Sequence, residues 1–169
     1  MGDGQSFNTH VEHGVTIVAT GGEEWHGDAY LLGKNRQVIT EVELEDRISH
    51  RPEAIAEMDH VVMIQCARSP DMSDTPDYCS RICCTNSMKN AIRIKLLNPN
   101  CQVTILYKDI ITYGFREEYY TEARRRGVVF VRYDDVTTPV VEDSGPDGRL
   151  QVTVQEPILK QSMTFEPDL

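Results

Sequence analysis

The sequence predicts an α/β fold, with a parallel sheet at its core and an antiparallel β meander behind it. Between residues 60 and 133, apolar segments of strand length alternate with two stretches of helical periodicity. This order is typical of βαβ units, whose strands are parallel. After residue 136, short apolar runs flank a glycine- and proline-containing turn and predict antiparallel strands. A chain of 169 residues can bury one good core.

Two elements are predicted before this core. Residues 15–19 (VTIVA) form a short apolar run ahead of a glycine turn at 20–22, which predicts a buried strand. Thr40 and Glu43 have the spacing of a capping box and predict a helix that ends at about residue 48. The proline at position 52 is expected to break that helix.

The core itself has the order strand, helix, strand, helix, strand. The first helix should end at the Asn98-Pro99-Asn100 run. The second has Glu117 and Glu118 in its first turn and three arginines at 124–126 in its last, a charge order that suits the helix dipole. The predicted strands are 60–65, 102–107 and 128–132, and the predicted helices are 79–97 and 115–126.

Composition excludes several classes of partner. The net charge of −10 disfavours nucleic acid and anionic membranes. No apolar run approaches the roughly 20 residues of a membrane span. The polar N-terminal residues do not resemble a signal peptide, and the cysteines are clustered rather than spread. These features predict a reducing, cytoplasmic environment.

Four of the five cysteines fall within one stretch of 19 residues. They are Cys66, Cys79, Cys83 and Cys84, with the spacing C-x12-C-x3-C-C. Four thiolates is the ligand count of a cubane iron–sulfur cluster or a tetrahedral zinc site. Cys83 and Cys84 are adjacent, which a structural disulfide rarely uses because the ring would be strained. The stretch therefore predicts a metal or redox site.

The predicted position of this site suits an anionic group. Cys66 ends a strand and the other three cysteines begin the next helix, where a dinucleotide-binding fold carries G-x-G-x-x-G. That glycine motif is absent from the sequence. A helix N-terminus favours negative charge and lowers thiol pKa values. Spacing alone leaves open an iron–sulfur cluster, zinc, a redox-active dithiol and plain buried cysteines.

Four segments resemble the family of heterodisulfide reductase A subunits, which comprises large flavin and iron–sulfur proteins of methanogens and other anaerobes. They are VVMIQCARS, YCSRICC, VTILYKDI and GFREEYYTEARRRGVVFVRY, and the resemblance covers most of residues 14–168. It implies that Cys66, Cys79, Cys83 and Cys84 ligate a [4Fe–4S] cluster. Cys101 lies outside the motif and is expected to be structural.

The resemblance also implies a Rossmann-like, three-layer nucleotide-domain fold similar to that of thioredoxin reductase, in a parent protein that binds FAD. The run VTIVATGG resembles the element at which such proteins leave their FAD domain. The FAD-binding glycine motif and the ferredoxin-type cysteine runs are absent, so the chain looks like an excised or split piece that does not bind FAD alone. The implied division is a partial FAD-domain-like segment with a linker at 1–58, a cluster-bearing core at 59–135 and a truncated meander at 136–169.

The expected function is electron transfer between a flavin and other centres, with no catalytic residue in this chain and with other domains or subunits as partners. One alternative is a zinc- or cluster-stabilised docking domain. Another is a thiol–disulfide redox protein that uses Cys83 and Cys84. Apolar surface is expected at residues 14–22 and 163–169, where strand edges would favour self-association.

Overall fold

A computed structural model describes residues 9–19, 21, 29–67, 79–143 and 149–169. Two short 3₁₀ helices, Ala29–Leu31 and Gly114–Arg116, accompany the main elements. The helices are α1 (Glu41–His50), α2 (Pro52–Ala56), α3 (Cys83–Leu97) and α4 (Glu117–Arg125). The strands are β1 (His60–Ile64), β2 (Gln102–Tyr107), β3 (Val129–Arg132), β4 (Val140–Asp143), β5 (Leu150–Gln155) and β6 (Ser162–Phe165).

Strands β1, β2 and β3 form a parallel sheet in that order, which confirms the predicted βαβαβ core. Val61 on β1 is level with Val103 on β2, and both side chains are buried against the helices. Ala91 and Ile94 of α3 belong to the same apolar cluster and are fully buried. Because side chains alternate along a strand, the intervening residues point to the opposite face of the sheet.

That opposite face packs against the antiparallel sheet, whose strand order is β4-β5-β6. Leu106, Val131 and Tyr133 from the parallel sheet side form one buried cluster with Val152 and Val154 of β5. The chain therefore has three layers: helices, a parallel sheet and an antiparallel sheet. The predicted meander is confirmed, and burial on both faces explains why the parallel strands are almost wholly apolar.

The predicted strand at residues 15–19 is wrong for this chain. These residues have no strand structure, and Val15 and Ile17 are 78% and 85% exposed. A strand needs a neighbour to accept its hydrogen bonds, and an apolar run does not reveal whether that neighbour is present. The expected exposure of apolar surface in this segment is confirmed for residues 14–19.

The start of α3 is four residues later than predicted. Arg81 has a left-handed backbone with φ of 61°, which interrupts a right-handed helix. Ile82 is the N-cap, so Cys79 lies in the preceding loop and not in the helix. Pro52 follows the end of α1 as expected, but it also begins α2, because proline is favoured in the first turn of a helix.

The C-terminal residues are packed, contrary to the expectation of exposed apolar surface at 163–169. Leu169 is buried, and its carbonyl accepts a hydrogen bond from Val62 N–H at 2.9 Å. The Asp168 carboxylate accepts hydrogen bonds from the main-chain N–H groups of Asp59 and His60, at 2.6 and 3.0 Å. This segment therefore covers β1 at the edge of the parallel sheet.

Three predicted features lie wholly or mostly outside the described residues: the glycine turn at 20–22, the loop at 68–78 between Cys66 and Cys79, and the turn at 144–148. Among the helices that the structure does describe, none combines the length and apolar character needed to cross a bilayer.

Candidate metal centre

Cys66 lies where the chain leaves β1 at the carboxyl end of the parallel sheet. The preceding residue, Gln65, still follows the sheet, since its N–H donates to Leu106 O at 2.8 Å. Cys66 itself has φ of 55°, a left-handed conformation that costs a non-glycine residue about 1–2 kcal/mol. Such strained residues cluster at functional sites when the surrounding structure holds them in place.

The electrostatic environment of the Cys66 sulfur is set by its neighbours. Burial, followed by the negative charge of Cys83, raises the pKa of the Cys66 thiol. The main-chain N–H groups of Lys108 and Asp109, just after β2, act in the opposite direction and lower the pKa of this thiol. The sulfur therefore lies between the start of α3 and the loop that follows β2.

Cys83 occupies the first position of α3. No side chain caps this helix end, so the N–H groups of its first turn are available to an acceptor. The pKa of Cys83 is lowered to about 6, chiefly by the neighbouring Cys84 thiol, while burial opposes the shift. The Ser80 hydroxyl, 3.8 Å from the Cys83 sulfur, and the N–H groups of the helix end add to the lowering.

Cys84 is the buried member of this adjacent pair. The neighbouring Cys83 side chain, followed by burial, raises the pKa of the Cys84 thiol. The main-chain carbonyl of Asp109 also lies within reach of the Cys84 sulfur, at 3.7 Å. The pKa values of the two adjacent thiols are thus shifted in opposite directions, downward at Cys83 and upward at Cys84.

Cys79 is exposed and completes the set. Its sulfur accepts a hydrogen bond from Arg81 N–H at 3.3 Å, and its charge raises the pKa of Cys66. The structure therefore brings all four predicted cysteines to the carboxyl end of the sheet. Within the part of the chain that the structure describes, no three His, Cys, Asp or Glu side chains are already arranged to hold a metal ion.

The four cysteine sulfurs are nevertheless the chemical type of ligand that a soft metal prefers. Cysteine thiolates favour zinc and iron–sulfur clusters over hard cations. The N–H groups of Lys108 and Asp109, which lower the pKa of Cys66, are the type of outer donor that stabilises a metal-bound sulfur. The four sulfurs would hold the metal, and these main-chain donors would compensate the negative charge of the thiolate ligands.

Cys101 lies apart from the other four. It precedes β2, at the opposite end of the six-residue strand, roughly 20 Å away at the usual rise per residue. Its side chain is fully buried in the apolar cluster beneath the helices. Its carbonyl accepts a hydrogen bond from Lys95 Nζ at 2.8 Å, as expected of a packing residue at a strand start.

Two tyrosines near Cys66 were missed by the sequence reasoning. The Tyr133 hydroxyl donates a hydrogen bond to the main-chain carbonyl of Gln65, directly before Cys66. Burial raises the pKa of Tyr133, and the charges of Tyr30 and Cys66 add to the shift. Burial and then Cys66 likewise raise the pKa of Tyr30. Tyr133 directly follows a predicted strand, and this position could have indicated that it lies near the site. Tyr30 lies in a polar segment that gives no such signal.

A positive charge also lies at this end of the sheet. The Lys108 ammonium pairs with the Asp135 carboxylate and sits 5.9 Å from the centroid of the Tyr133 ring. The loop after β2 therefore contributes main-chain donors to Cys66 and a side-chain cation to the surrounding shell.

The fold and the site define an α/β protein with a cluster of cysteines at one end of its parallel sheet. No protein-family model matches it. At 36% identity over 99% of its length, it is similar to the iron–sulfur A1 subunit of the CoB–CoM heterodisulfide reductase of Methanopyrus kandleri. The corresponding iron–sulfur subunit of Methanocaldococcus jannaschii is 36% identical over 92% of the chain. The A subunit of the H2:CoB–CoM heterodisulfide,ferredoxin reductase of Methanothermobacter marburgensis is 30% identical over 99%.

The chain belongs to the family of heterodisulfide reductase A subunits. It spans about a quarter of the length of these relatives, between 25% and 27%. The resemblance predicted from the cysteine motif and the flanking strands is confirmed.

Proposed function

We propose that this chain is the iron–sulfur electron-transfer module of a flavin-dependent oxidoreductase similar to the heterodisulfide reductase A subunit. The observation that carries the proposal is the gathering of Cys66, Cys79, Cys83 and Cys84 at one edge of the sheet. The names of two similar proteins, which call them iron–sulfur subunits, support the same chemistry.

The proposed cofactor is a [4Fe–4S] cluster ligated by these four cysteines. When bound, such a cluster supplies one-electron transfer at a potential that depends on hydrogen bonds to its sulfurs and on burial. The protein's own contribution lies in three groups. The loop after β2 donates N–H groups at Cys66, the first turn of α3 favours negative charge at Cys83, and Cys84 is buried beneath that turn.

The proposed fold type is the Rossmann-like nucleotide domain of thioredoxin-reductase-like flavoproteins. Three layers, with a parallel sheet between helices and an antiparallel sheet, support this interpretation. Cysteines take the place of a phosphate-binding glycine turn. FAD would belong to the parent protein, and the exposed run at residues 15–19 would pack against its remaining parts.

The division at residues 58 and 135 is part of the same proposal. Leu44, Ile48 and Ile55 of helices α1 and α2 share the buried cluster with β1 and β2. The segment before residue 58 therefore includes helices that complete the core. Other domains or subunits of a flavin and iron–sulfur complex are the proposed partners, and the cytoplasm is the proposed location, because reduced thiols persist there.

A thiol–disulfide role is the second candidate, and one observation favours it. Cys83 combines a pKa of about 6 with a neighbouring thiol donor, which is the environment of a reactive cysteine. A disulfide between the adjacent residues would be strained, however. A partner cysteine for Cys83 would therefore be Cys66 or Cys79.

Anaerobic reconstitution tests these candidates against one another. Protein reduced with dithiothreitol is incubated with ferrous iron and sulfide, desalted, and assayed for iron, sulfide and absorbance. We expect a brown protein that absorbs near 400 nm, with about four iron and four sulfide per chain. A colourless protein that retains zinc from a parallel incubation would support the docking domain instead. A colourless protein that retains neither metal would support the thiol–disulfide role.

A further inference from the structure

The left-handed turn at Cys66 needs an external restraint. Gln65 donates its N–H to the sheet at Leu106 O, yet Cys66 adopts φ of 55° one residue later. Unrestrained, a cysteine at a strand end would favour the extended region. The peptide that joins the two residues is therefore the point at which the chain must be held.

The Tyr133 hydroxyl provides that restraint, since it donates to the Gln65 carbonyl in this same peptide. The two residues are 68 positions apart, so the contact joins the chain after β3 to the chain after β1. The Tyr133 ring is itself fixed. It is 1% exposed within the cluster between the two sheets, and the Tyr133 main-chain N–H donates to Tyr107 O at 2.9 Å.

Tyr133 also contacts the other side of the Cys66 site. Its ring lies beneath the ammonium of Lys108, in the loop after β2 whose main-chain N–H groups act on the Cys66 sulfur. One buried ring thus links the peptide before Cys66 to the loop that follows β2. A tyrosine with a purely packing role would need neither contact.

We propose that Tyr133 is a positioning residue, whose hydroxyl holds the Gln65 carbonyl and thereby aims the Cys66 sulfur at the other three cysteines. For the bound cofactor this inference rests on the proposed iron–sulfur function. The ordering of Cys66 itself does not, because the contact exists without a metal.

The test uses two tyrosine variants of the whole chain. Tyr133→Phe keeps the buried ring and removes only the donor. Tyr107→Phe is the matched control, because Tyr107 ends β2 in the same sheet and the hydroxyl that donates to Gln65 O is that of Tyr133. Both variants and the unaltered protein are examined metal-free, by mass-spectrometric rates of Cys66 alkylation under native conditions, and after reconstitution with iron and sulfide.

In the metal-free arm, Tyr133→Phe should increase the Cys66 alkylation rate several-fold, whereas Tyr107→Phe should not. In the reconstituted arm, Tyr133→Phe should accelerate iron loss to a chelator by about tenfold, the usual effect of losing an outer-shell partner. It should also shift the EPR spectrum of the reduced protein. A general loss of stability would not shift that spectrum.

The results of the two arms distinguish failure of the Tyr133 proposal from failure of the proposed iron–sulfur function. Faster Cys66 alkylation in a protein that takes up no cluster would support positioning by Tyr133 and reject the iron–sulfur proposal. Unchanged alkylation in Tyr133→Phe would overturn the inference whether or not a cluster forms. An unchanged EPR spectrum and iron-loss rate in a cluster-loaded variant would overturn it as well.

Discussion

Cys83 and Cys84 are adjacent at the first turn of α3, and each shifts the pKa of the other, downward at Cys83 and upward at Cys84. The two residues are chemically alike and adjacent, yet their environments separate their pKa values. Cys83 lies at the uncapped helix end with several donors, whereas Cys84 is buried beneath it. In the metal-free protein this difference favours the thiolate form at Cys83 over that at Cys84.

This relationship predicts the pH dependence of alkylation in the reduced, metal-free protein. Cys83 should react with iodoacetamide at a rate that rises to half its maximum near pH 6, because its pKa is lowered to about 6. Cys84→Ala should move that midpoint upward, since the principal donor is lost. Cys84→Ser retains a hydroxyl donor and should move it less. Peptide mass spectrometry of the labelled residues gives the midpoint, and an identical midpoint in Cys84→Ala would contradict the pairing.

His60 predicts acid sensitivity of the fold. Its Nε2 lies 3.0 Å from the Thr104 hydroxyl, and its ring packs edge-on against Phe165, with centroids 5.6 Å apart. Burial lowers the pKa of His60 below its ordinary value of 6.5, although Asp168 opposes the shift. The folded state therefore binds this proton less readily than the unfolded state. The associated stability is present above pH 6.5 and is lost as the pH falls through the folded pKa.

Urea unfolding between about pH 7.5 and pH 5 should show this loss. The variant His60→Gln keeps a hydrogen-bonding side chain and removes the titration, so its free energy of unfolding should fall less over the same range. His50→Gln is the matched control, because the side chain of His50 is 74% exposed on α1. A wild-type profile that follows the His60→Gln profile throughout would contradict the assignment.

The capping box at the start of α1 predicts a local loss of stability. Thr40 Oγ1 accepts from Glu43 N–H at 3.2 Å, and the Glu43 carboxylate accepts from Thr40 N–H at 2.8 Å. Thr40→Ala should lower the free energy of unfolding by about 1 kcal/mol, because it removes the acceptor of an otherwise unpaired N–H. Thr40→Ser retains the acceptor and should cost much less. Equal urea midpoints for the two variants would reject the cap.

Much of this architecture could be predicted from the sequence because its signals are local. The strands from His60, Gln102 and Val129 are nearly continuous apolar runs, since the sheet packs against other layers on both faces. The Thr40–Glu43 box is equally evident in the sequence, as its two hydrogen bonds span three residues. The position of the cysteine motif at one end of the sheet could also be predicted, because the motif begins just after β1 and ends in the first turn of α3.

The remaining features depend on contacts that sequence spacing does not encode. The left-handed backbone at Arg81 delays α3 to Cys83, although the apolar periodicity begins earlier. The run at residues 15–19 has the composition of a buried strand but pairs with no strand among the described residues. The contact between Tyr133 and Gln65 joins residues 68 positions apart, so only the assembled sheet reveals it.

The central claim is that Cys66, Cys79, Cys83 and Cys84 hold the cluster and that Cys101 does not. Iron and acid-labile sulfide per chain, measured after identical anaerobic reconstitution of the five single Cys→Ser variants, test it most directly. We expect each of the four site variants to lose iron or shift the cluster's EPR signal, because a serine hydroxyl is a poor replacement for a thiolate ligand. Cys101→Ser should retain the full content, since Cys101 is buried at the far end of β2. Equal iron loss in Cys101→Ser, or full content with an unchanged EPR signal in Cys66→Ser, would contradict the account.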